Sequence, residues 1–191
     1  MSDHPACLYE PTKIPIVPNY VCWTLDTTVS PWESTPHPNT KYFPLGYCVV
    51  SSIYAILLRV FGEGGVRRSM NEFLLDAHRF CKTRRECRKS QTFFTLNSAV
   101  RYMRKLGLTC TDETNAFKMD GIRSLHGLIE RNEDLLREGI WYICMDTDKS
   151  RHCSVCIDGV IYDTLGHPNC HRYPAMLYAR VHRIFKVRKR K

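Results

Sequence analysis

Pro44-Leu45-Gly46-Tyr47-Cys48-Val49-Val50-Ser51-Ser52-Ile53-Tyr54-Ala55-Ile56-Leu57-Leu58-Arg59-Val60-Phe61-Gly62 is the stretch on whose reading the fold turns. Pro44 and Gly46 hold the incoming chain out of helical conformation, and from Val49 to Phe61 apolar residues occupy every face rather than one stripe. The pattern predicts a buried central helix that carries Cys48 in its first turn and closes at Gly62. Free backbone N–H groups and the positive end of the helix dipole surround a sulfur placed there, which favours thiolate over thiol. The expectation is a nucleophile whose pKa lies well below the ordinary thiol value.

A nucleophilic cysteine needs a base, and the base needs an orienting group. Arg151-His152-Cys153-Ser154-Val155-Cys156-Ile157-Asp158-Gly159-Val160-Ile161-Tyr162-Asp163-Thr164 offers both. Asp158-Gly159 between two β-rich runs is a two-residue hairpin signal, and that loop length sets the register. Ile157 then faces Val160, Cys156 faces Ile161, Val155 faces Tyr162, Ser154 faces Asp163 and His152 faces Leu165. His152 and Asp163 become diagonal neighbours on one face, roughly 7 Å apart at Cα, a gap that an imidazole and a carboxylate close.

A cysteine at the start of a central helix, then a histidine beginning a strand, then an acid on the adjoining strand resembles the papain-like cysteine peptidases. The rhythm from His152 to Asp163 looks most like compact bacteriocin-processing-type peptidases and some viral leader proteases. The resemblance covers roughly residues 42–61 and 139–187. It implies Cys48 as nucleophile, His152 as general base and then acid, and Asp163 as the group that orients His152. Papain-like enzymes usually carry glutamine or asparagine about six residues before the cysteine as an oxyanion donor, whereas Tyr42 stands here. Asn39 is the nearest amide and becomes the candidate donor, with the Cys48 N–H supplying the other half. Gly46 and Tyr47, beside the nucleophile, and Arg151, beside the base, are candidate groove residues. With ten cysteines in 191 residues, one at a helix start also has a purely structural explanation as a small buried hydrophobe. The conjunction of helix start, chain order and shared hairpin face is what carries the triad.

The remaining chain supports an α+β fold of the papain-like kind, a helical half packed on an antiparallel sheet. Eight of the ten prolines precede Cys48, so the opening segment cannot be mainly helical. Residues 1–41 read as an extended arm with one short strand at Val21, Trp23 and Leu25, either packed on the body or shaping the substrate groove. Residues 42–185 form the domain, and 186–191 a basic tail. Ser69-Met70-Asn71-Glu72 is a capping box for a helix to about Cys81, with Met70, Phe73, Leu74, Ala77 and Cys81 on its apolar face. A second amphipathic helix begins near Thr95, places Leu96, Ala99, Val100, Met103 and Leu106 on one side, and stops at Gly107. A strand from Leu108 to Thr111 follows. Residues 124–137 form one kinked helix or two short ones, Gly139 ends them, and strands over 140–145 and 179–187 complete the sheet.

Composition, at 43% apolar and 25% charged, is that of a soluble globular domain. No run approaches a membrane span and the N-terminus lacks the regions of a signal peptide, so the expected location is cytoplasmic, with mostly reduced thiols. A zinc protein is a rival reading, because Cys153-x2-Cys156 followed by His167, Cys170 and His171 has knuckle-like spacing. An intact strand opposes it, since residues three apart point to opposite faces. We therefore expect no metal and no cofactor. The net charge of +9 and the tail from Lys186 to Lys191 support a third reading, an inactive fold that binds RNA, an anionic membrane surface or a larger assembly. The same tail has the composition of a nuclear-localisation signal. The leading expectation is a thiol hydrolase acting on a peptide or isopeptide bond of a polypeptide substrate.

Overall fold

A computed structural model describes residues 7–8, 20–24, 47–62, 65–66, 70–82, 95–117, 124–146, 151–163 and 179–191. Within them the chain is α+β, built of helices and a mainly antiparallel sheet. Helix α1 spans Tyr47–Phe61 and ends where Gly62, at φ +71°, donates its N–H to Leu58 at 2.9 Å. Val49, Val50, Ile53, Tyr54, Ala55, Ile56 and Leu57 are buried, whereas Arg59 is exposed, so its N-terminal half is the central helix that the apolar run predicts. Each such fully buried aliphatic side chain stabilises the fold by about 1.5–3 kcal/mol. Helix α2, Met70–Lys82, buries Phe73, Ala77 and Cys81 as its spacing requires, while Ser69 of the expected capping box lies outside the described residues. Helix α3, Leu96–Lys105, starts on Thr95, whose hydroxyl accepts from the Ser98 N–H. Two short helices, α4 at Leu125–Arg131 and α5 at Glu133–Leu136, settle the ambiguity over 124–137.

Strands β1 (Cys7–Leu8), β2 (Tyr20–Thr24), β3 (Leu108–Asp112), β4 (Ile140–Asp146), β5 (Arg151–Ile157), β6 (Val160–Asp163) and β7 (Arg180–Lys189) form one sheet in the order β1-β2-β6-β5-β4-β7-β3. All neighbours are antiparallel except β2, which runs parallel to β6 with Cys22 level with Asp163. The strand expected in the proline-rich arm thus extends the sheet beside the acid of the expected triad. At the other edge, Lys186 to Lys189 are not a free tail. They end β7, paired to β3 from Lys186↔Thr111 to Lys189↔Leu108, and Arg190 donates its N–H to Gly107 at 2.8 Å.

The two sheet faces are covered by different helices, as side-chain alternation along β4 dictates. Ile140, Tyr142 and Cys144 join Cys153, Val155, Ile157, Phe185 and Val187 in a core with α1, α2 and α3. Trp141, Ile143 and Met145 join Cys156, Ile161, Val181 and Ile184 in a second core with Leu125, Leu128 and Leu136 of α4 and α5. Leu135 of α5 is 44% exposed. No helix among the described residues is long and apolar enough to cross a membrane.

Candidate active site

The β5–β6 hairpin has the register counted from its turn: Ile157↔Val160, Cys156↔Ile161 and Val155↔Tyr162. Asp158 at φ +48° and Gly159 at φ +84° supply the left-handed pair that a tight two-residue turn demands. The Asp158 carboxylate then accepts from Arg59 Nε at 2.9 Å, Arg59 Nη2 at 2.7 Å and the Gly139 N–H at 3.0 Å. Arg59 holds its carboxyl below the usual carboxylate range. This clasp ties the last turn of α1 to the tip of the hairpin.

Helix and strand run side by side in the same direction, so the clasp sets what meets at their other end. From 59 back to 48 the helix rises about 16 Å at 1.5 Å per residue, and from 158 back to 153 the strand covers about 16 Å at 3.3 Å per residue. Cys48 accordingly arrives beside Cys153 and His152 at the start of β5, and both act on its thiol, Cys153 raising its pKa and His152 opposing that rise. One turn along, Ser52 Oγ donates to the Cys153 carbonyl at 3.4 Å. His152 is buried, at 4% exposure.

The thiol does not have the depressed pKa expected of a helix start. Its hydrogen bond to Cys153 and its enclosure push it well above the ordinary value, against the opposing pull of His152. A helix dipole contributes about 0.3–1 kcal/mol and fades within one turn, whereas removing a thiolate from water costs more. Cys48 therefore rests as a neutral thiol, half-buried as a residue with its sulfur turned inward. Cys153 links three thiols, since it acts on Cys48 and its Sγ donates to Cys144 Sγ at 3.8 Å. The Cys153 thiol is itself pushed up, first by its bond to Cys144. Tyr142 lies alongside these thiols, and its buried hydroxyl has no hydrogen bond of proper geometry.

Asp163 ends β6 one step beyond Val155↔Tyr162, level with Ser154. By strand parity this puts Asp163 and His152 on one side of the hairpin, as counted from the turn; the Asp163 side chain is outside the described residues. Arg151 is exposed at the start of β5, with Nε 3.7 Å from Asp146 Oδ1. On the neighbouring strand β7, His182 Nδ1 lies 3.5 Å from Asp146 Oδ2, and partial burial lowers its pKa. Tyr47 is the first residue of α1, while Asn39 and Gly46 lie outside the described residues. His167, Cys170 and His171 of the zinc reading lie outside them too. Its other two residues cannot converge on one ion, because β5 is unbroken and Cys153 belongs to the first core, Cys156 to the second. Among the described residues no three His, Cys, Asp or Glu side chains are grouped to hold a metal.

Cys144 and Tyr142 were not among the residues that the sequence singled out, and Cys153 entered only through the zinc reading. A signal for the cysteine pair existed, because counting outward from the four residues between the two apolar runs pairs Asp146 with Arg151, Met145 with His152 and Cys144 with Cys153. No protein-family model, curated protein or solved structure matches this chain.

Proposed function

We propose that the protein is a papain-like thiol hydrolase that cleaves a peptide or isopeptide bond of a polypeptide. The observation that carries this reading is the meeting of Cys48, in the first turn of α1, with His152, which pulls its thiol toward ionisation against the surrounding core. The raised thiol pKa supports proton transfer during attack rather than a preformed thiolate. Cys48 attacks the carbonyl carbon as its proton passes to His152. The Cys48 N–H and the Asn39 amide stabilise the oxyanion, and Asp163 orients the imidazole. The imidazolium protonates the leaving amine, and water hydrolyses the thioester. Gly46, Tyr47 and Arg151 border the substrate. The test is incubation with a degenerate peptide library and mass-spectrometric detection of cleavage. Wild-type protein should cleave and Cys48→Ala should not; equal cleavage by both would overturn the assignment.

A second reading, a polyanion-binding fold, is favoured by one surface. Exposed Arg101, Arg104 and Lys105 of α3 stand near exposed Arg188, Lys189, Arg190 and Lys191, because the Arg190 to Gly107 bond joins the two segments. Replacing Arg104, Arg188 and Arg190 by alanine should weaken single-stranded RNA binding and flatten its salt dependence, without touching the Cys48 region. Unchanged RNA binding would remove this reading.

A further inference from the structure

Cys144 and Cys153 are directly opposite on antiparallel strands. Such pairs have Cα atoms about 4.5–5.5 Å apart, inside the window of about 4.4–6.8 Å that a disulfide spans. Their sulfurs already touch at 3.8 Å, Ser52 of α1 donates to the Cys153 carbonyl, and Cys48, one turn before Ser52, acts on the Cys153 thiol but not on Cys144. All three are reduced thiols, none of them in a disulfide. The order is the informative feature, since the middle sulfur is the one that both neighbours can reach.

We propose that Cys48, Cys153 and Cys144 form a thiol relay that clears peroxide oxidation from Cys48 and stores it as a Cys144–Cys153 disulfide inside the sheet. The relay rests on the proposed reactivity of Cys48. In the first step His152 takes the Cys48 proton as the sulfur attacks hydrogen peroxide, the O–O bond breaks, and the proton passes to the leaving hydroxide, giving a sulfenic acid and one water. Cys153 then attacks the Cys48 sulfur, forming a Cys48–Cys153 disulfide and expelling a second water. Cys144 attacks the Cys153 sulfur, the bond to Cys48 breaks, and Cys48 leaves with the electron pair and takes the proton that Cys144 gives up. Two thiols are oxidised and one peroxide is reduced to two waters. An exchange of this kind needs attacking, central and leaving sulfurs in sequence, which is the order observed. Burial in the core then keeps the stored disulfide away from bulk thiols, while the nucleophile is returned reduced. Cys156 cannot take part, because it faces the other core.

The test uses the full chain, fully reduced, treated with one equivalent of hydrogen peroxide, quenched with iodoacetamide under denaturing conditions and mapped by non-reducing mass spectrometry. The expected product is a Cys144–Cys153 disulfide with Cys48 alkylated. In Cys144→Ala the relay should stall at Cys48–Cys153. In Cys153→Ala, Cys48 should accumulate as sulfinic acid at least several-fold above wild type. The wild-type result suffices if either variant fails to fold. Cys48 oxidised to sulfinic acid in wild type with Cys144 and Cys153 both free would overturn the relay. Native-state iodoacetamide labelling separates the two failures. Fast labelling of Cys48 without a disulfide sinks only the relay, whereas Cys48 inert to both reagents sinks the relay and the thiol-hydrolase reading together.

Discussion

At the turn end of the α1 and β5 pair, Arg59 and Asp158 meet in solvent with side chains 56% and 45% exposed, whereas at the opposite end Cys48, Cys153 and Cys144 meet in the core. The first contact has the better geometry, a 2.7 Å ion pair reinforced by a second guanidinium bond. Its energy is nevertheless small, because water screens both charges and exposed pairs contribute about 0.2–1 kcal/mol. The second consists of weak thiol contacts, yet each proton there is held by a neighbouring thiol and by enclosure. Short distances describe how a contact positions its elements; burial decides how much its loss costs. The solvent end aligns helix and strand, and the core end holds the thiols on which the proposed chemistry depends.

The largest break in this contrast comes from removing the base. His152→Ala should lower both peptide cleavage and the native-state alkylation rate of Cys48 by about 10²–10⁴-fold. Because the thiol pKa is raised, alkylation of wild type should climb with pH instead of levelling off near pH 6. Rate profiles from pH 5 to 10 with site-resolved mass spectrometry read both effects. A Cys48 already fully reactive at pH 6, and indifferent to His152→Ala, would return the thiol to the preformed thiolate that its helix position suggests.

Next in size is the alkaline limit of stability. Cys48 and Cys153 are raised by thiol hydrogen bonding and burial, and Cys156 is pushed up to about 12 by burial, whereas unfolded thiols titrate near about 8.5. Folded pKa values above the unfolded value mean that the native state holds more protons once the pH exceeds about 8.5. Their stabilisation is therefore complete below that pH and is lost as pH rises toward the folded values. Each enclosed thiol contributes a slope of about 1.4 kcal/mol per pH unit in that window. The Tm should fall steeply between pH 8.5 and about 10.5, and Cys156→Ala should make the fall shallower. A flat Tm across the window would show that the thiols are open to water.

A smaller effect sharpens the account of the core end. Tyr142 is fully buried and its hydroxyl has no proper hydrogen bond, so it carries a desolvation cost without return. Tyr142→Phe should raise stability by about 1–3 kcal/mol in urea denaturation. A loss of stability instead would mean that the hydroxyl is held by one of the adjoining thiols.

The smallest expected effect lies at the turn end. Arg59→Ala should cost about 1 kcal/mol or less and leave Cys48 alkylation within about two-fold of wild type, since the α1 core remains. A ten-fold drop in alkylation with unchanged Tm would promote the clasp from a minor contact to a positioning device for the nucleophile.

Periodicity and turn chemistry determined a good deal of this protein by themselves. The Asp158-Gly159 dipeptide sets φ at two residues, and with a side-chain period of 2 that alone sets the β5–β6 register. The apolar run after Cys48, closed by Gly62, defines α1 because burial on every side from Val49 to Leu57 suits a central helix. Thr95 and Gly107 bounded α3 and its turn for equally local reasons. What the sequence could not decide depends on partners far along the chain. The basic residues from Lys186 read as a solvated tail until β3 supplies a ladder for them, and the strand of the proline-rich arm gains its place only when β6 lies beside it. The Cys48 pKa is the sharpest case. Its helix-start position argues for thiolate, but protonation follows the whole surroundings of a sulfur, and those include Cys153, more than a hundred residues away, together with the core that shuts out water.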